Sequence, residues 1–282
     1  MSQWNPFGIP DTFPIFVDGK PEEDINSSTL GTTYCMVFMS SGSNVLGVGE
    51  SDLPWLRQYK FSESLEESIE IVDRLESLFA DPKQFHDLFF WVLSATVEGI
   101  SSYGNNCLAG VSEELENFNI EEGHVQFGNK KIKLGKAKSL IWYNYCLCII
   151  APHLMGSAKK YGLSRGVFMV DRFGGNDKTN MDFMGQITLQ SSMSELWKRA
   201  FEDAGGAHVG YEFATKKDGT SLDDVMQFVL TDWLTQAAFA YHNPAENLDP
   251  SFRSKLRNLI DLLGKSGRLK YIHIKNEGML WK

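Results

Sequence analysis

The chain has 282 residues, 43% of them hydrophobic, which suffices for a large core and excludes a disordered chain. Its net charge of −9, from 36 acidic and 27 basic side chains, excludes attraction of nucleic acid through the global field. That balance still leaves room for a local basic patch beside acids that hold a metal. No apolar run reaches the ~18 residues of a membrane span, so no membrane association is expected. The first residues, Met1-Ser2-Gln3-Trp4-Asn5-Pro6, place no basic region before an apolar one. With no signal peptide read there, a cytoplasmic location is expected.

Phe13 to Gly19 reads as a strand with Asp18 near its end, and Thr32 to Ser40 as a second. Ser41 to Asn44 is a turn, and Val45 to Val48 completes an expected β-meander. From Ser62 the period becomes helical. Ser62 and Ser64 are candidate caps, and Leu65, Ile69, Val72, Leu75 and Phe79 share one stripe. A second helix is expected over 85–100. Residues 101–135 read as irregular, with a hairpin at 125–134 turning on Gly128-Asn129. Lys138 to Tyr161 reads as a long buried helix. Its thiols Cys146 and Cys148 form no C-x-x-C pair with each other or with Cys35 and Cys107, and all four are expected to be reduced core residues.

A strand is then expected over 167–173, ending at Asp171. A polar loop follows, with a short segment over 182–189 and a helix over 194–201 stopped by Gly205-Gly206. His208 to Ala214 is the next strand. The helix over 220–242 opens with a capping-box pattern at Ser221 and stops at Asn243-Pro244. A helix over 251–263 and a strand over 271–275 complete the chain. Trp142, Trp197 and Trp233 read as core, and His153 and His242 as polar residues near helix ends.

The chemistry concentrates on three acids. Val225, Val229, Asp232 and Gln236 follow steps of four, three and four, so Asp232 interrupts an apolar helix face. A carboxylate there needs a partner. Asp171 and Asp18 end strands, where sites form in open α/β folds. The plainer alternatives are a lysine pair or loop cap for Asp232, and turn residues for Asp171 and Asp18. Three carboxylates are hard oxygen donors that suit Mg²⁺ or Mn²⁺, and two such ions clamp the attacking and leaving oxygens of a phosphodiester. Lys216 and Lys217 are candidate phosphate contacts; a solvated turn is the alternative. No P-loop, GxGxxG or HExxH pattern is present.

The order of elements, with acids on the first strand, a later strand and a late helix, resembles the RNase H-like superfamily. Within it the chain is similar to a widespread bacterial domain family of unknown function whose first strand usually ends Asp-Glu-Ser-Gly. Val167-Phe168-Met169-Val170-Asp171 resembles that family's acid-bearing strand. Tyr211 to Lys217, leading into Met226 to Asp232, resembles its strand, Ser-Lys-Lys and Leu-Gln-Leu-Ala-Asp helix. Val17-Asp18-Gly19-Lys20 departs from the pattern, lacking the Glu-Ser after the first acid. The resemblance implies a single α/β domain over 1–282 with an RNase H-like mixed central sheet and a helical elaboration at about 62–160. It also implies a metal-dependent nuclease with Asp18, Asp171 and Asp232 as ligands, and a helical Glu drawn from Glu66, Glu70 and Glu98. The alternative is a catalytically degenerate protein that binds a protein partner.

Overall fold

A computed structural model describes residues 13–20, 32–41, 55–56, 64–81, 88–114, 118–159, 165–170, 177–189, 191–203, 208–213, 226–243 and 248–274. Strands β1 (Phe13–Lys20), β2 (Thr33–Ser41) and β3 (Leu88–Thr96) form an antiparallel meander. Strand β7 (Arg165–Val170) pairs parallel with β1 on its other side, and β8 (His208–Phe213) pairs parallel with β7. Strand β9 (Leu269–His273) pairs parallel with β3, which gives a six-stranded mixed sheet of order β8-β7-β1-β2-β3-β9. The class is α/β, as the sequence indicates.

Alternation along the strands sends side chains to two cores. Ile15, Val17 and Phe38 join a core with helices α2 (Val97–Glu114), α3 (Leu134–Lys159), α4 (Asp177–Leu189) and α5 (Ser191–Asp203). Phe16, Val37 and Met39 join the opposite core with α1 (Leu65–Ala80), α6 (Met226–His242) and α7 (Pro250–Lys265). A small antiparallel sheet of β4 (Phe118–Glu121), β5 (His124–Phe127) and β6 (Lys130–Lys133) closes over the first core with Val125, Phe127 and Ile132. Ser64 caps α1 in a reciprocal box with Glu67, one of the two caps expected there.

Two expectations need correction. The helix expected over 85–100 is strand β3 for most of its length, and this strand completes the meander; the expected third strand at 45–48 lies outside the described residues. Both faces of β3 are buried, since it lies between β2 and β9 with a core on each side. Such a strand is apolar throughout and carries no alternation. The stretch expected to be irregular opens with helix α2, whose Gly99, Gly104 and Gly110 weaken its local signal. Packing overrides that weakness. A Cβ on Gly104 would lie 2.9 Å from the Lys138 Cβ of α3, so the close crossing of the two helices requires glycine. The region 62–160 therefore contributes a central strand and a small sheet as well as helices.

Remaining features follow the sequence. The four cysteines are free and buried, and burial pushes the Cys107 thiol up to about 12. Trp142 and Trp233 are fully buried, while Trp197 is half-buried and donates to Asn144 Oδ1 at 2.8 Å. Among the described residues, no helix is long and apolar enough to cross a membrane.

Candidate functional site

Helix α6 lies across β1 and β2, and two contacts fix its register on β1. Phe16 meets Phe228 edge-on at 5.2 Å between ring centroids. Lys20 Nζ donates to Gln236 Oε1, and the same ammonium lies 5.8 Å from the centre of the Phe239 ring. Between these contacts the strand advances two steps of two residues and the helix two steps of four. Each strand step is about 6.6 Å and each helix step about 6 Å, so strand and helix run together without drift. Asp18, midway between Phe16 and Lys20, thereby falls opposite Asp232, midway between Phe228 and Gln236. Both acids are half-buried, and neither is without a partner.

Asp171 lies outside the described residues. Its predecessor Val170 pairs with Val17, the residue before Asp18. Lys216 and Lys217 also lie outside the described residues, as does the expected cap at Ser221. None of the three candidate glutamates stands on α6 or β1. Glu66 and Glu70 are exposed on α1, where Glu70 pairs with Arg74; Glu98 is exposed in the first turn of α2, on the opposite face of the sheet.

The donor chemistry of Asp18 and Asp232 fits a hard divalent cation. Among the described residues, no group of three or more His, Cys, Asp and Glu side chains is placed to hold a metal ion. A metal site at Asp18 and Asp232 would need a further ligand from beyond them. Asp18 is not the last residue of its strand, because β1 continues through Gly19 to Lys20. Gly19 leaves room there for the Tyr34 side chain. A Cβ at that position would lie 2.5 Å from the Tyr34 hydroxyl, which packs against β1.

Lys20 and Gln236 are the polar residues at this site whose part the sequence reading did not assign. The signal for Lys20 was available: Phe16, Asp18 and Lys20 alternate onto one strand face. Gln236 had already been placed on the Asp232 face. Its side chain is 1% exposed, and its Nε2 has no hydrogen-bond partner.

Of the two histidines expected near helix ends, His153 is exposed well inside α3 and lies 5.1 Å from the Trp91 ring. His242 does end α6, between Tyr241 and Tyr271. Burial, and then the neighbouring His273, hold His242 below the usual imidazole range. The unfolded chain therefore takes up a proton near pH ~6.5 that the folded chain refuses until lower pH, so stability falls as pH drops through that value. We expect the melting temperature to decline between pH 7.5 and 5.5, and to decline less in His242→Gln. Equal acid sensitivity in parent and variant would show that His242 does not contribute.

No protein-family model, curated protein or solved structure matches this chain.

Proposed function

We propose that the chain is an RNase H-like, divalent-metal-dependent nuclease that hydrolyses phosphodiester bonds in nucleic acid. The observation that carries this reading is the register of α6 on β1, which sets Asp232 opposite Asp18. The strand order supports it as well. An antiparallel meander continues, on the β1 side, into two parallel strands, and a late helix returns an acid to the sheet. Asp171 directly follows Val170, which pairs with Val17, and one covalent step moves a Cα by only about 3.8 Å.

In this reading Asp18, Asp171 and Asp232 hold Mg²⁺ or Mn²⁺, and Lys216 and Lys217 contact the substrate phosphate. Held there, such an ion would supply Lewis-acid chemistry, lowering the pKa of water and neutralising charge on the phosphate. The protein supplies hard oxygen donors on a rigid strand and helix, which fixes their geometry. Carboxylates sharing one site would repel one another, and a bound cation would relieve that repulsion. Millimolar Mn²⁺ or Mg²⁺ is therefore expected to raise the melting temperature by about 2–5 °C. The rise should vanish in Asp171→Asn. A flat response in the parent protein would count against the metal site. The activity itself is tested by incubating single- and double-stranded DNA and RNA with Mn²⁺: turnover on at least one substrate is expected, and none on any would remove the nuclease reading.

A second reading is favoured by one specific observation. Lys20 brings an ammonium to Gln236, beside the two acids, where it can stand in for a metal's charge. With the Glu-Ser absent after Asp18, the same fold would serve as a non-catalytic module for a protein partner. A parent protein that neither cleaves nor responds to metal would support that reading.

A further inference from the structure

We propose that Lys20 and Gln236 together form the contact for a phosphoryl oxygen of the nucleic acid, one register step beyond Asp18 and Asp232. This inference rests on the nuclease reading and deepens it. Lysine donates hydrogen bonds and accepts none, so its bond to Gln236 fixes which end of the amide is oxygen. The Gln236 Nε2 is the other arm of the same amide, next to the oxygen that holds the ammonium, and it is buried without an acceptor. A buried donor with no partner is costly to keep, and an anionic oxygen is the acceptor that satisfies it best. The ammonium adds what the acids lack. Carboxylates at Asp18 and Asp232 repel a phosphodiester, and a cation held one step along the strand offsets that repulsion. The Lys20 ammonium lies 5.8 Å from the centre of the Phe239 ring and donates to Gln236, so its charge is positioned. The sequence places this lysine directly after Asp18-Gly19, on the strand that carries the first acid.

The test is fluorescence anisotropy of labelled single- and double-stranded oligonucleotides in EDTA, which separates binding from cleavage. It uses the full-length parent, Lys20→Met and Gln236→Met, across a range of salt. Lys20→Met is expected to weaken binding about tenfold and to lower the salt slope by about one. Gln236→Met is expected to weaken binding several-fold; it removes the unsatisfied buried donor together with the acceptor of the Lys20 ammonium, two opposing effects on stability, so affinities are compared at equal folded fraction. Parent-like affinity and salt slope in Lys20→Met would overturn the proposal, as would a parent that binds no oligonucleotide. A drop in melting temperature for Gln236→Met, with binding unchanged once folding is corrected for, would overturn it too. The two readings separate cleanly. Cleavage in Mn²⁺ with parent-like binding by Lys20→Met keeps the nuclease and removes this contact. Binding that depends on Lys20 without cleavage by the parent keeps the contact and removes the nuclease.

Discussion

Asp232→Asn is expected to lower metal-dependent cleavage of nucleic acid by about a thousandfold or more, with the fold intact. Asparagine keeps the shape of the side chain and removes the charge that the proposed cation site needs. Asp232 sits half-buried on α6, within the register set by Phe228 and Gln236, so the substitution changes chemistry with little change in packing. Asp171→Asn should act in the same way. Single-turnover cleavage in Mn²⁺, with circular dichroism as the check on folding, decides the matter. A variant that cuts at the parent's rate would show that its acid is structural. Loss of folding alongside loss of activity would show the same.

The largest stability effect is expected at the neighbouring position. Trp233 is fully buried in the core between α6 and the sheet, with Phe16, Val37 and Phe90 in the same cluster. Trp233→Ala should cost about 3–5 kcal/mol, from lost burial and from the cavity left behind. Urea denaturation measures it. Trp233→Phe retains an apolar ring and should cost considerably less. A loss below about 1 kcal/mol for the alanine variant would mean that α6 does not pack on the sheet through this residue. Because α6 carries Asp232, the same variant should reduce cleavage by loosening the helix even where the chain stays folded.

The legibility of the fold varied with the physics of each segment. Strands β1 and β2 were readable because their apolar and β-branched residues stand between turn signals, and α1 because its stripe follows a capping serine. Strand β3 was not, because a strand buried on both faces loses the alternation that marks a strand. Its apolar run from Leu88 to Leu93 is equally compatible with a buried helix. Helix α2 was hidden for the opposite reason. Its glycines and the Asn105-Asn106 pair favour a loop locally, and only the close approach of α3 makes the helix the better choice. The candidate site was legible as separate acids, but the alignment of Asp18 with Asp232 depends on how α6 lies on β1, which is tertiary information. The bond from Lys20 to Gln236 spans 216 positions, and spacing alone could not have shown it.

The most direct test of the metal-dependent nuclease reading is a crystal structure of the protein grown with Mn²⁺, with the ion located by its anomalous scattering. The account predicts a strong peak coordinated by Asp18 and Asp232, with the Asp171 carboxylate within about 8 Å of Asp232 and sharing one or two ions. A site without manganese, with Lys20 lying between Asp18 and Asp232 and Asp171 directed elsewhere, would contradict it.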